Sequence, residues 1–530
     1  MNGAEILVRT LERNGVEVIF GVPGDIENYF FKALSSSKID FITVRHEQSA
    51  AFMADAYYRL TGKIGVCFST LGPGATNLLT GIASAWQERS SVIAISGQLS
   101  QNKHFQDSHQ YLDLKSLFKN CTKESFLVRR VTDIQATFSK AIFEATSEKT
   151  GPVHISVPVN LFSQEADFQI NNLKQSIEFD YQDSIMSCLS EINKSKNSVI
   201  IVGSSCARSN VRDEINVFIE KTNFPVYTTF LGKGVVPHTK ENFCGVLSRH
   251  SKKIKQILSQ QDLIINIGFD IVEGITPEIW SGAKRVIHLD SSPPTGGGIY
   301  NPDLEVIGPI KETLSSITKK LKQNDIYFDY KKYQVTYKKP RLCFPYHPAS
   351  IPAILSDKVE NCIVVPDVGM HKQYIGFYYK SSSPNEVLFS NGFSSMGFSF
   401  PAALGAKIAK PNKNIISVTG DGGFQMNIQE LATAVENKIG VLVIVMNDNC
   451  LGMVKLRQTE NTSSVYGAEY SCKTDFAEIS RAYGGMGLKI KENHSLQEEI
   501  LRALDLVNKN NLPFVLDVPI QQYTEIEGIK

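Results

Sequence analysis

The stretch that decides the fold runs Ile415-Ile416-Ser417-Val418-Thr419-Gly420-Asp421-Gly422-Gly423. It is followed by Val441-Leu442-Val443-Ile444-Val445-Met446-Asn447-Asp448-Asn449. Each half begins as an uncharged, largely β-branched run, the pattern of a strand buried on both faces. Each ends in a loop with oxygen-bearing side chains. Between them Ile428, Leu431, Ala432 and Val435 recur at helical spacing, and Gly440 can end that helix. Such a strand–helix–strand unit implies neighbouring parallel strands, whose carboxyl ends are the edge where open α/β sheets bind ligands. A carboxylate (Asp421), an amide oxygen (Asn447) and loop carbonyls suit a hard cation such as Mg²⁺, which prefers oxygen and commonly also holds phosphates. Gly420, Gly422 and Gly423 let the backbone approach a phosphate and aim amides at it.

The same alternation covers the chain. Val18-Ile19-Phe20, Phe41-Ile42-Thr43-Val44, Gly65-Val66-Cys67-Phe68, Val92-Ile93-Ala94-Ile95 and Val153-His154-Ile155-Ser156-Val157 read as buried strands. The pattern restarts after 166–196, a polar stretch without strand character, with Ser198-Val199-Ile200-Ile201-Val202-Gly203. It restarts again after 320–345, whose basic runs read as a solvated linker. The expectation is an α/β protein of three doubly wound parallel-sheet domains, at 1–165, 185–320 and 346–530. In the central block Gly203-Ser204-Ser205-Cys206 follows the first strand without a GxGxxG fingerprint, so a plain βα turn is expected there rather than a dinucleotide site.

Composition bounds the function. The chain has 530 residues, with 55 Lys+Arg against 54 Asp+Glu. At ~150 residues per domain that length accommodates about three or four domains. A near-zero net charge provides no field for nucleic acid or an anionic membrane. No uncharged apolar run reaches the ~18 residues of a membrane span. The start, Met1-Asn2-Gly3-Ala4-Glu5, lacks a signal-peptide pattern. The nine cysteines stand singly, which argues against a disulfide framework or a zinc site and for a cytoplasmic protein.

Gly420-Asp421-Gly422, followed at this distance by an Asn-led loop, resembles the signature of thiamine-diphosphate (ThDP) enzymes. The resemblance extends over nearly the whole chain. It implies ThDP and Mg²⁺ as cofactors, with Asp421, Asn447 and the backbone of Asn449 as metal ligands. It matches Glu47, in Val44-Arg45-His46-Glu47-Gln48, to the glutamate that hydrogen-bonds the cofactor's pyrimidine and activates it. Phe20-Gly21-Val22-Pro23-Gly24 before it and Gly72-Pro73-Gly74-Ala75-Thr76-Asn77 after it stand at family-like spacing, with Pro23 and Gly24 at the cofactor. Gly369, Met370 and His371 match the diphosphate loop. In Asn391-Gly392-Phe393-Ser394-Ser395-Met396-Gly397, Ser394 matches the carbonyl that accepts from the aminopyrimidine, and Met396 the wedge under the bent cofactor. Leu451, Gly452 and Met453 match a further cofactor loop.

Within that family the chain looks most like the acetolactate synthases, of the flavin-free catabolic type. His109-Gln110-Tyr111-Leu112-Asp113 and Gly268-Phe269-Asp270-Ile271-Val272-Glu273 resemble catabolic motifs, and Gln110 would line the substrate pocket. The resemblance implies decarboxylation of pyruvate and ligation to a second pyruvate. It also implies an active site shared between subunits, hence a homodimer or a dimer of dimers. Two residues depart from the pattern. Asp25 makes Val22-Pro23-Gly24-Asp25, which resembles non-ligating 2-oxoacid decarboxylases. The adjacent His-His pair of those enzymes is missing here, since His104 and His109 stand apart. Arg457 occupies a position where relatives discriminate between acceptors, so it would either hold an acceptor carboxylate, which makes carboligation with a different acceptor an alternative, or face solvent. A non-catalytic member of the fold is the remaining alternative, and Glu47, Asp421 and Asn447 speak against it.

Overall fold

In the computed structural model, residues 1–105, 107–168, 181–296, 298–324, 326–338, 340–524 and 526 are described. Parts of the two polar stretches read above, residues 169–180 (with Asn171-Asn172), 325 and 339, lie outside them. The chain divides into two compact units. The first holds Met1–Gln175, Phe393–Leu451 and Tyr470–Val518. The second holds Ser176–Gly392, Gly452–Glu469 and Pro519–Lys530.

The first unit opens with strands β1 (Val18–Gly21), β2 (Asp40–Thr43), β3 (Gly65–Ser69), β4 (Val92–Gln98), β5 (Ser125–Leu127) and β6 (Val153–Pro158). They form a six-stranded sheet in the order β2-β1-β3-β4-β6-β5, parallel throughout. The run β1, β3, β4 and β6 is buried along its whole length, which is why no polar alternation interrupts it. Helix Glu47–Thr61 follows β2 and helix Gly72–Gln87 follows β3, so both begin at the carboxyl edge of this sheet.

The second unit carries β7 (Ser198–Val202), β8 (Val226–Thr228), β9 (Phe243–Val246), β10 (Leu263–Ile267), β11 (Val286–Asp290) and β12 (Leu304–Ile307), in the order β12-β11-β10-β7-β8-β9. It also holds β13 (Cys362–Pro366). Gly203 ends β7, and the short helix Ser204–Arg208 follows directly, the plain turn expected. The reading of 320–345 as a solvated linker is corrected. Phe328 is buried in the central core, and Tyr330 and Tyr333 pack beside it. Tyr330 Oη donates to the Asn223 carbonyl at 2.9 Å, and Tyr333 Oη donates to Asn197 at 2.8 Å. Lys320, Lys322, Lys331 and Lys332 stay in solvent while the interleaved aromatics bind the segment to the sheet, a division that net polarity conceals.

The third sheet contributes β14 (Asn414–Gly420), β15 (Leu442–Asn447), β16 (Met486–Lys489) and β17 (Phe514–Pro519), with β14, β15, β17 and β16 as successive neighbours. β14 and β15 are parallel with Gly420 opposite Met446. The single helix expected between them is corrected to two short ones, Asp421–Gln425 and Glu430–Glu436. The second buries Glu430, Leu431, Thr433 and Ala434 and ends at Asn437, ahead of Gly440. Gly440 instead allows close approach, since a Cβ there would lie 3.0 Å from the Asn511 backbone. Among the described residues no helix is long and apolar enough to cross a membrane.

Within the first unit, helix Glu47–Thr61 packs on helix Ser399–Ala409. Phe52 meets Phe398 edge-on at 5.4 Å. Gly405 faces Met53 so closely that a Cβ would stand 2.4 Å from the Met53 carbonyl oxygen. Alanine is better than glycine in a helix by ~1 kcal/mol, but overpacking a closed core costs ~1–3 kcal/mol. Gly405→Ala should therefore lower the thermal midpoint. A midpoint at or above wild type would show that the helices separate at no cost.

Candidate active site

Glu47 is the first residue of its helix. His46 caps that helix by accepting the Gln48 amide on Nδ1 at 3.2 Å. The Glu47 carboxylate is nearly buried and accepts from Asn77 Nδ2 at 2.9 Å. Asn77 belongs to the helix that begins at Gly72, so the turns after β2 and β3 meet at this carboxylate. Pro23 is exposed and Gly24 partly exposed on the loop after β1. Gln110 is exposed, with φ 58°, and its carbonyl presses on Gly72.

The turn that carries Glu47 is held from below by a residue the sequence reading did not single out. Glu430 is fully buried, and its carboxylate accepts the Arg45 amide at 3.1 and 3.2 Å and the Thr433 hydroxyl at 2.6 Å. The His46 amide also donates to it. Burial pushes this carboxyl above the usual range, while those donors pull it back. Beside it Asn427 accepts from the Ser49 hydroxyl at 3.2 Å and donates to the Gly397 carbonyl at 2.8 Å. The Glu47 helix and the Met396-Gly397 segment are thus joined through one amide.

At the edge of the third sheet, the loops after β14 and β15 converge. Asp421 Oδ1 accepts the Gly422 amide at 2.8 Å, and the amides of Asn449 and Cys450 also donate to this carboxylate. Asp421 Oδ2 is buried without a hydrogen-bond partner. Burial, with Asp448 adding negative charge, pushes the Asp421 carboxyl up to about 7. Asn447 donates through Nδ2 to Asp517 at 2.9 Å, which turns its carbonyl oxygen toward the loop, where it accepts the Asn449 amide at 3.2 Å. The Asn449 carbonyl takes the Tyr470 amide at 2.9 Å and keeps a second lone pair. Asn449 and Ser394 both hold positive φ, 56° and 54°. A Cβ on Gly422 would meet Tyr470 Oη at 2.7 Å, Leu451 Cδ2 at 2.8 Å and Met396 Cε at 3.6 Å. Leu451 and Met396 therefore converge over this glycine.

The donor set fits a hard cation. One buried carboxylate oxygen has no donor, an amide oxygen is fixed by Asp517, and a carbonyl has a free lone pair. Among the described residues no group of three or more His, Cys, Asp or Glu side chains could hold a metal ion. The remaining oxygens would have to come from a bound phosphate-bearing group.

The second unit holds the rest. Gly369, with φ 140°, precedes helix Met370–Tyr378. His371 is buried with Nε2 lacking a hydrogen bond. Burial and the neighbouring Lys372 push it down to about 3, so it is neutral at pH 7. Lys372 Nζ donates to the Ser390 carbonyl at 3.2 Å and to Asn391 at 3.3 Å. Gly452 and Met453 open helix Gly452–Thr462. On it Arg457 pairs with Glu460 at 2.8 Å and is 46% exposed, which favours the solvent-facing alternative over a carboxylate clamp.

Sequence reasoning missed Glu430, Asn427 and Asp517. The local signal for each was a polar residue set among apolar ones, in Glu430-Leu431-Ala432 and Val515-Leu516-Asp517. Its partner lies far along the chain.

Two parallel-sheet edges, one presenting a buried glutamate and the other an oxygen-lined glycine turn, define a ThDP-binding α/β enzyme. Family models agree. The N-terminal TPP binding domain of thiamine pyrophosphate enzymes matches residues 1–117, the central domain 185–317 and the C-terminal TPP binding domain 367–518. The chain is 32% identical to a probable acetolactate synthase large subunit of Methanocaldococcus jannaschii, covering 98% of this chain and 92% of that one. It is 30% identical to the acetolactate synthase isozyme 3 large subunit of Escherichia coli (97% and 94%) and to an acetolactate synthase of Bacillus subtilis (98% and 93%). The chain belongs to the ThDP-dependent enzymes, and within them it is acetolactate synthase-like.

Glu430→Ala would remove the acceptor of the partly buried Arg45 amide, and a donor left unmet away from water costs ~1–3 kcal/mol. Chemical denaturation should show a loss of that size. An unchanged unfolding free energy would mean that water replaces the carboxylate.

Proposed function

We propose that this enzyme decarboxylates pyruvate and joins the two-carbon fragment to a second pyruvate, forming 2-acetolactate, with Mg²⁺ as the metal. The observation that carries this reading is the pairing of Glu47, held by Asn77 and Glu430, with an Asp421 oxygen that lacks a donor. Asp421, Asn447 and the Asn449 carbonyl would hold Mg²⁺. Gly420, Gly422 and Gly423 leave room for phosphate oxygens, and Gly369, Met370 and a neutral His371 line the diphosphate loop. Met396, Leu451, the Ser394 carbonyl, Pro23, Gly24, Gly452 and Met453 would be the residues that hold the organic part of the cofactor. Bound ThDP supplies the electron sink for breaking the bond between a 2-oxoacid's carbonyl carbon and its carboxylate. Glu47 holds the proton it shares with the pyrimidine ring. Gln110 faces the substrate.

The three-domain division at 1–165, 185–320 and 346–530, a homodimer or dimer of dimers, flavin independence and a cytoplasmic setting belong to the same proposal. Relatives named large subunits of acetolactate synthase support pyruvate as the substrate. A second reading, a decarboxylase that releases aldehyde, is favoured by Asp25 on the Pro23-Gly24 loop.

Product analysis with pyruvate, ThDP and Mg²⁺ separates the two. Acetolactate is expected, and acetaldehyde alone would replace the carboligase with the decarboxylase. Glu47→Gln should lower kcat by more than about a hundredfold, the scale of lost acid–base assistance, while retaining ThDP. Near-normal turnover would remove Glu47 from the chemistry.

Asp421→Ala should yield a folded protein that no longer copurifies with ThDP. Wild-type occupancy would refute the Mg²⁺ site.

A further inference from the structure

The loop after β1 hides a carboxylate that neither metal nor cofactor binding uses. Glu27 has no exposed surface. It immediately precedes helix Asn28–Ser35, yet its side chain makes no capping hydrogen bond there. The side chain turns back under the sheet edge instead. Thr70, which follows β3, donates its hydroxyl to the two carboxylate oxygens at 2.9 and 3.2 Å. Two glycines leave the space the carboxyl fills. A Cβ on Gly97 would stand 2.1 Å from Glu27 Oε1, and one on Gly24 would stand 2.3 Å from Oε2. Thr70 is itself partly exposed. Its methyl and Glu47 Oε1 border a common point, since a Cβ on Gly74 would lie 3.3 Å from the one and 2.9 Å from the other. The hydroxyl that touches Glu27 therefore belongs to the residue that stands next to Glu47.

We infer that Glu27 and Thr70 form a proton relay into the active site, with Glu27 as the store and the Thr70 hydroxyl as the carrier. The inference rests on the pyruvate-condensing reading above. Joining two pyruvates and losing CO₂ consumes one proton, because the acceptor's carbonyl oxygen becomes the tertiary hydroxyl of the product. Thr70 passes its hydroxyl proton to that oxygen as the carbon–carbon bond forms, and Glu27 replaces it. Water reprotonates Glu27 after the product leaves. No other co-reactant is needed.

The electrostatics agree with the geometry. Burial, with Asp25 adding to it, pushes Glu27 up to about 7, while the Thr70 hydrogen bond pulls the other way. Asp25, on its own loop, is the charged group beside it. The strands packed on it bring Thr70 and Gly97, which carry no charge, and Glu47 lies beyond Thr70. A donor must start protonated, so this step is available below about pH 7 and fades as pH rises through that value.

The test compares pH–rate profiles of the holoenzyme with pyruvate. Glu27→Gln keeps the shape and the Thr70 contact but cannot give up a proton. It should lower kcat by roughly a hundredfold and abolish the alkaline limb, with ThDP affinity unchanged. Thr70→Val should do the same. Infrared spectroscopy of the wild-type holoenzyme should show a protonated-carboxyl band that titrates near neutrality and is missing in Glu27→Gln. A Glu27→Gln enzyme with the wild-type rate and profile, or a Thr70→Val enzyme with the wild-type profile, would overturn the relay. Aldehyde as the only product would refute the condensation but not the relay, since releasing an aldehyde also consumes a proton. A holoenzyme inert to pyruvate would refute the substrate, and the infrared band alone would then decide on Glu27.

Discussion

The buried carboxylate of Glu430 under the Arg45–His46 turn is the contact on which the active-site geometry depends. An activating glutamate is useful only if its position is fixed to a fraction of an ångström relative to the group it acts on. Glu47 sits at the first turn of a helix, where backbone amides lack intrahelical partners and the chain is least constrained. His46 satisfies one amide locally. Glu430 takes those of Arg45 and His46 from an element that follows the Asp421 turn by only a few residues. The two sheet edges are therefore joined by hydrogen bonds from backbone amides to one fully buried side chain. Close packing at Gly405 and the Asn427 bridge to Gly397 act in the same direction.

Much of this was legible in the sequence because it is local. A strand buried on both faces declares itself by an uncharged run, and β1, β3, β4, β7, β10, β14 and β15 were read that way. The glycine turn at Gly420–Gly423 and the Asn-led loop after β15 follow from the same logic. The failures have two opposite causes. The helix expected after Asp421 is two short ones, and the second turns Glu430, Leu431, Thr433 and Ala434 inward while Ile428, Ala432 and Val435 are only partly buried. A buried glutamate is invisible to a hydrophobic-period argument, since its partner, the Arg45 amide, lies hundreds of residues away. The segment 320–345 was misread for the opposite reason. Its lysines dominate the composition, while Phe328, Tyr330 and Tyr333 decide where it rests.

Asp517 illustrates how a site residue can be anticipated in type but not in orientation. Asn447 has an oxygen and a nitrogen at nearly the same place, and only the oxygen can bind a cation. The buried carboxylate of Asp517, at the end of β17, accepts from the nitrogen and so selects the face the oxygen presents. Lys489 lies 3.7 Å from Asp517 and offsets part of its charge. The loop motif thus names the ligand, and a strand far along the chain sets its orientation.

Three buried carboxyls, Glu27, Glu273 and Asp421, are each pushed up to about 7, with burial as the largest cause. Desolvation alone does not separate them by role; the count of donors does. Glu273 accepts the amides of Ser204 and Leu231 at 3.0 and 3.3 Å, one on each oxygen, and the hydroxyls of Thr229 and Ser204 as well, and it ties together the turns after β7 and β8. That is the signature of a structural carboxylate, since a rigid amide on each oxygen fixes its position and stabilises the charged form. Asp421 has several amides on its carboxylate but one oxygen bare, a shortage that a cation corrects and a proton corrects less well. Glu27 accepts its own backbone amide and one side-chain donor, a hydroxyl, which can donate or accept as it rotates. A carboxyl whose side-chain partner can reverse its role is met by a hydrogen bond in either protonation state, and that is what a proton store requires.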